Sequence, residues 1–194
     1  IAPGSDELEI PPDPTLIQEE ALAALAETRE AGYRRGLVVL ATGLGKTWLA
    51  AFDAKQMGAR RVLFVAHREE ILKQAAETFL RIRPGERVGL YMGKVRDVQV
   101  DILCASVQTL GRASHLKRFS PQHFDYIVID EFHHAARDVR ELHGEHGIFR
   151  VHAFLIERPH LERGKFDLRA TGEITGVYPD HGERHLLAVH EEPD

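Results

Sequence analysis

Short, wholly apolar runs recur along the first two thirds of the chain: LVVL at 37–40, VLFVA at 62–66 and YIVI at 126–129. Four or five apolar residues without alternation suit a strand buried on both faces, the habit of parallel sheets. Between these runs the spacing turns helical. QEEALAALAETREA predicts a helix that starts near Thr15 and stops at Gly32, WLAAFDAKQM one that Gly58 closes, and EEILKQAAETFLRI a third over 69–82. VGLYM (88–92) and DILCAS (101–106) predict further strands, and residues 107–118 a further helix. Strands alternating with helices define an α/β fold, a mostly parallel sheet flanked by helices.

The pattern lapses at both ends. Residues 1–14 carry prolines at 3, 11, 12 and 14 and read as an extended leader. From 138 to 194 no strand–helix alternation is evident. IFRVHAFLI (148–156) and HLLAVH (185–190) are candidate strands there, but the segment is left unassigned beside a domain at 15–137.

Composition narrows the class. Of 194 residues, 43% are hydrophobic and 28% charged, which excludes wholesale disorder. No apolar run reaches the length of a membrane-spanning helix. The chain opens on Ile1, not Met, as a fragment would, and its start lacks the regions of a secretory signal. A single cysteine, Cys104, forms no internal disulfide and fits a reducing cytoplasm. Charge is informative once divided. Residues 1–137 hold 18 Lys+Arg against 18 Asp+Glu, and residues 138–194 hold 7 against 12, so the whole deficit of five lies in the tail. Neither part has the positive balance of a protein that coats nucleic acid, so any such contact must be local.

The strongest chemical signal is ATGLGKT at 41–47, directly after a buried strand and opening a helix. Gly43 and Gly45 let the backbone wrap phosphates and turn its N–H groups inward, and the helix adds its positive end. Thr42 and Leu44 belong to the same loop. Lys46 would reach the β- and γ-phosphates and the Thr47 hydroxyl would ligate Mg²⁺. The strict GxxxxGK[ST] pattern fails at its first position, where Leu40 stands. An ordinary glycine turn is the bland alternative, but position, glycines and the Lys-Thr pair agree on phosphate.

A second signal is Asp130-Glu131-Phe132-His133-His134, after the strand YIVI. Two carboxylates at a strand's C-terminal end lie where open α/β sheets bind ligands. One can hold Mg²⁺ and the other can orient or deprotonate water. Alone, such a pair is usually a helix cap; with a phosphate loop upstream, function outweighs that reading.

With these motifs in place, the chain resembles the superfamily 2 helicases. ATGLGKT, VLFVAHREEIL, ILCASVQTL and DEFHH match their motifs I, Ia, Ib and II in order, and DEFHH places the likeness in the DExH group, which includes restriction-enzyme helicase subunits and DNA translocases. The resemblance covers about 15–137 and implies a RecA-like P-loop domain using ATP and Mg²⁺. It implies that Lys46 and Thr47 bind phosphate and metal, that Asp130 is the metal carboxylate, that Glu131 activates water, and that His133 couples nucleotide state to a partner domain. His67 and Arg68 match motif Ia, and Ser106, Gln108 and Thr109 match motif Ib. The family role of both is gripping the nucleic-acid backbone with groups that read no sequence; DNA is favoured over RNA. Arg60, Arg61, Lys94 and Arg96 read instead as a solvated rim.

Gln18 carries two readings that do not exclude each other. Thr15-x-x-Gln18 is a capping box, whereas in such helicases a glutamine ahead of motif I contacts adenine. The aromatic and Arg that often accompany it are absent, with Ile17 and Thr15 in their places.

Two family features have no counterpart. No Ser/Thr-Ala-Thr motif follows motif II, Ala170-Thr171 being the nearest, and a second RecA-like domain, expected as a further domain or partner chain, is not in this sequence. Arg140, Arg150 and Arg169 lack the context of arginine fingers, and His143 and His146 read as solvent-facing more readily than as metal ligands. Two functions therefore stand: the ATP-binding half of a nucleic-acid motor, or a nucleotide-binding regulatory or interaction module without motor activity.

Overall fold

A computed structural model describes residues 11–32, 37–40, 43–120, 122–130 and 153–157. Helix α1 (Leu16–Glu30) leads into strand β1 (Leu37–Leu40) and helix α2 (Lys46–Gln56). Then come β2 (Val62–Ala66), α3 (Glu69–Ile82), β3 (Val88–Met92), β4 (Val95–Arg96) and β5 (Ile102–Ser106). Two single-turn helices, α4 (Val107–Leu110) and α5 (Ala113–Leu116), precede β6 (Tyr126–Asp130) and β7 (Ala153–Glu157). The strands form one seven-stranded sheet in the order β1-β7-β6-β2-β5-β3-β4, parallel except for the β3–β4 pair.

The apolar runs behave as their pattern requires. All five residues of β2, β5 and β6 are buried, because strands in mid-sheet meet helices or loops on both faces. Phe64 of β2 meets Phe79 of α3 edge-on at 6.1 Å, an arrangement worth roughly 0.5–1.5 kcal/mol beyond area burial. Leu72, Ala75, Phe79 and Ile82 make the buried stripe of α3, and Glu69 and Glu70 place negative charge at its positive N-terminal end. Helix α1 is capped as its sequence indicates: the Thr15 hydroxyl accepts from the Gln18 N–H and the Gln18 side chain accepts from the Thr15 N–H.

Three differences from the sequence pattern have physical causes. The helix over 107–118 is two single turns, because Gly111 caps the first and favours no continuation. The two-residue edge strand β4 is too short to leave a periodic trace; its turn is made by Gly93 in the left-handed region (φ 51°). Helix α2 starts at Lys46, two residues before the apolar spacing begins. Of the candidate strand 148–156, residues from 153 onward lie in the sheet as β7, between β1 and β6, so the sheet takes in part of the segment that the pattern leaves unassigned. The candidate strand 185–190 lies outside the described residues.

Candidate functional site: a phosphate loop beside an acidic strand end

The loop after β1 is shaped by its glycines. Gly43 (φ 84°) and Gly45 (φ 72°) both occupy the left-handed region, where a side chain would be strained. Gly45 is also the N-cap of α2, and no side chain caps that helix. The backbone donors of the first turn therefore keep the partial positive charge that attracts phosphate. Lys46 and Thr47 open α2 and are half-buried. Thr42 lies outside the described residues.

Gln18 is brought onto this loop from α1. Its Nε2 donates to the carbonyls of Leu44 at 3.3 Å and Gly45 at 3.2 Å, while its Oε1 accepts the Thr15 N–H at 2.9 Å. A Cβ at Gly45 would stand 2.6 Å from Nε2, so this glycine also makes room for the glutamine. One side chain thus closes the helix cap and braces the loop. The capping box signals only the first of these roles; the second joins residues 26 and 27 apart and leaves no local trace.

Asp130 ends β6 and is buried to 6% exposure. Strand β7 lies between it and the loop: Leu155 pairs with Asp130, and Glu157 with Leu40, the last residue of β1. Asp130 and the loop thus share the C-terminal edge of the sheet two strand spacings apart, about 10 Å, a gap that phosphates and a metal ion can bridge. Thr47 and Asp130 offer the hydroxyl and carboxylate oxygens that a hard cation such as Mg²⁺ takes. Glu131 and His133 lie outside the described residues, as do Arg140, His143, His146, Arg150, Arg169, Ala170 and Thr171.

Behind the loop lies an ionic cluster that sequence reading missed. Asp53 of α2 is fully buried. Its carboxylate accepts from both terminal nitrogens of Arg29 in α1, at 2.8 and 3.0 Å, and from the Tyr126 hydroxyl of β6 at 2.6 Å. Burial, and then the Asp53 charge, push the Tyr126 phenol well above its ordinary range, so it remains a donor. The cluster ties the helix that carries Gln18, the helix that carries Lys46 and the strand that carries Asp130. An aspartate inside the apolar run LAAFDA is the signal that points to it.

The residues matching motifs Ia and Ib divide by exposure. His67, Arg68 and Gln108 are exposed, and Gln108 Nε2 donates to the His67 carbonyl at 3.1 Å, which fixes the ends of β2 and β5 against each other. Ser106 and Thr109 are buried, their hydroxyls 2.8 Å apart, with Ser106 capping α4. Cys104, also buried, has its thiol pushed up to about 12 by desolvation and is chemically quiet.

Sheet order, loop and acidic strand end together define a RecA-like P-loop domain, and similarity in sequence makes it one of the superfamily 2 helicase class. Residues 12–155 match the family described as Type III restriction enzyme, res subunit, and the chain belongs to that family, as an ATP-binding helicase domain. It is 33% identical over 129 residues to the IRC3 protein of Saccharomyces cerevisiae, and 32% identical over 125 residues to its namesake in Schizosaccharomyces pombe. Both are ATP-dependent helicases by name, the second also mitochondrial. These matches take in 61% of this chain but only 18% and 20% of those proteins, so the chain spans about a fifth of each. A Sulfolobus solfataricus SWI2/SNF2 ATPase core solved with dsDNA superposes with a TM-score of 0.57 at 18% identity, over 76% of this chain and 32% of that one. It shares the fold.

Proposed function

We propose that the chain binds MgATP at residues 42–47 and Asp130 and supplies half of the catalytic centre of a nucleic-acid translocase or helicase acting on DNA. The observation that carries this is the left-handed Gly43–Gly45 loop opening an uncapped α2 on the same sheet edge as buried Asp130. Lys46 neutralises the terminal phosphates, and Thr47 and Asp130 are the residues that would hold Mg²⁺. That ion, when bound, would neutralise charge on the transferring phosphoryl group. Glu131, next to Asp130, is assigned to orient and deprotonate the attacking water, His133 to report nucleotide state, and Gln18 to touch adenine once it leaves the loop carbonyls. His67, Arg68 and Gln108 grip the nucleic-acid backbone from the ends of β2 and β5, with buried Ser106 and Thr109 holding that corner in shape. The dsDNA in the neighbouring SWI2/SNF2 structure supports this partner.

A second RecA-like domain completes the motor. Positive charge on the transferring phosphoryl group is worth roughly 10³–10⁵ in kcat, about 4–7 kcal/mol of barrier, and no arginine of the described site supplies it. We place the domain at about 15–157, to include β7. Among the described residues no helix is long and apolar enough to cross a membrane. The buried lone thiol suits a reducing compartment, cytoplasmic or, as the fission-yeast relative's name has it, mitochondrial. The test is a steady-state ATPase assay of the chain and of Glu131→Gln, with and without single- and double-stranded DNA and RNA. Turnover far below one per second is expected. Several turnovers per second, stimulated by nucleic acid and lost in Glu131→Gln, would refute the incomplete centre.

A further inference from the structure

The outer edge of the sheet, away from the phosphate loop, carries a cluster of cations. Residues 94–118 hold five Lys+Arg against two Asp, within a region 1–137 that balances overall. Arg29, Arg83 and Arg87 are each tied to a carboxylate. Among the described residues no carboxylate pairs with Lys94, Arg96, Arg112, Lys117 or Arg118. The two aspartates of the segment are engaged elsewhere: Asp101 with Arg87, and Asp97 with the Leu90 N–H over Gly89, which leaves room for it.

The cluster has a built centre. Arg96 of β4 lies over the ring of Tyr91, its strand partner, with Cζ 5.1 Å from the centroid. On another side the Tyr91 hydroxyl meets His115 Nδ1 at 2.7 Å. Tyr91 is fully buried, so Arg96 is held by a rigid ring and loses little freedom on binding an anion. Desolvation, and then the charges of Arg96, Arg118 and Arg112, hold the His115 imidazole below its ordinary range. Arg96, Arg112 and Arg118 thus surround one imidazole, and Lys94 and Lys117, exposed, lie close by in the same segment.

Sequence reading leaves Lys94 and Arg96 as a solvated rim together with Arg60 and Arg61. The structure separates the two pairs. Arg60 and Arg61 precede β2, where the Asp125 carboxylate accepts both backbone N–H groups and Arg61 donates to the Val100 carbonyl. Arg96 pairs with Tyr91 near the opposite, C-terminal end of β3, on the side to which Gln108 and His67 belong.

We propose that this edge, centred on the Arg96–Tyr91–His115 stack and completed by Arg112, Lys117 and Arg118, is a phosphate-binding track that continues the nucleic-acid backbone path outward from His67, Arg68 and Gln108. The proposal rests on the nucleic-acid reading of those residues. From β2 to β4 is three strand spacings, about 14 Å, room for a few successive phosphates of one strand. The contacts are sequence-blind, since guanidinium and ammonium groups aimed at phosphates read no base edges.

The test is fluorescence anisotropy of a labelled oligo-dT and a labelled duplex across a salt series. The full chain is compared with the charge reversal Arg96→Glu/Lys117→Glu/Arg118→Glu, its Gln counterpart, and Arg68→Ala. Three lost phosphate contacts are expected to flatten the slope of log K against log salt for oligo-dT by about 2. At low salt the charge reversal should weaken binding on the order of tenfold or more, with MgATP affinity unchanged; if it fails to fold, the Gln variant gives the slope. An unaltered slope and affinity in the edge variants, with binding weakened by Arg68→Ala, would overturn the track and leave the nucleic-acid reading standing. No binding by the unaltered chain would overturn both. Polyglutamate bound as tightly as oligo-dT, and lost in the same variants, would overturn the track in favour of an acidic protein partner.

Discussion

The two sides of the sheet handle charge in opposite ways. On the nucleotide side Arg29, Asp53 and Tyr126 lock three elements together in a buried cluster, and Gln18 is bound at both ends of its amide. On the outer edge Lys117 and Arg118 are exposed and Arg96 is half-buried over Tyr91, and among the described residues no carboxylate pairs with any of them. A site that must hold phosphates in one geometry profits from fixed neighbours. A surface that tracks a polyanion without reading it needs charge, and profits from leaving it uncompensated. The difference predicts which substitutions cost stability and which cost binding.

The largest expected effect concerns catalysis. Supplying a second RecA-like domain that carries an arginine finger should raise kcat by roughly 10³–10⁵, measured as turnover with and without that domain. A smaller rise would mean that the phosphate-loop side is more complete than its described residues indicate.

Next is Asp53→Ala. Removing the carboxylate strands the Arg29 guanidinium and the Tyr126 hydroxyl and should cost about 3–5 kcal/mol, read from denaturant unfolding. The charge reversal should stay near ±0.5 kcal/mol at each of Lys117 and Arg118, and cost about 1 kcal/mol at Arg96, which gives up its contact with Tyr91. Equal destabilisation by the two sets would erase the contrast between the sides.

Those two sides were also unequally legible in the sequence. The phosphate loop is local: strand, two glycines, Lys46 and Thr47 lie within a few residues, so its chemistry can be read in order. The helices and mid-sheet strands were legible because burial imposes a period or an apolar run, as in β2 and α3. The Asp53 cluster was not, since its partners are 24 and 73 residues away. Nor was the edge track, because an unpaired arginine and a paired one look alike until the carboxylates are placed. Strand β7 was only half legible, since IFRVHAFLI mixes His152 and Arg150 into an apolar run and the pairing with β1 and β6 is long-range. The hydroxyls of Ser106 and Thr109 suggested phosphate contacts, yet the fold turns them toward each other.

Gly45→Ala probes how tightly the nucleotide side is fitted. Its Cβ would meet Gln18 Nε2 at 2.6 Å, in a backbone region costing roughly 1–2 kcal/mol for a side chain. ATP affinity should fall along with stability, and the companion Gln18→Ala should recover the steric part while leaving the backbone part. Thr15→Ala, which removes only the cap hydroxyl of α1, should cost about 1 kcal/mol and is expected to leave nucleic-acid binding unaltered.

The smallest effect is acid sensitivity at the start of β3. Hydrogen bonds from Arg87 hold the Asp101 carboxyl down at about 2, below its ordinary value. A depressed folded pKa gives stability that is present above the ordinary value and lost as pH falls from about 4 to about 2. The pair is largely solvent-exposed, so the loss should be small. Comparing unfolding of the chain and Asp101→Asn across that window checks it, and an identical pH dependence in both would remove the pair from the account.

The central claim, that the loop opening α2 is a nucleotide phosphate site, is tested most directly by calorimetric titration of MgATP into the chain and into Lys46→Ala. The unaltered chain should bind one equivalent, and Lys46→Ala should bind at least an order of magnitude more weakly at unchanged thermal stability. Equal affinity in the two proteins, or no binding by either, would contradict it.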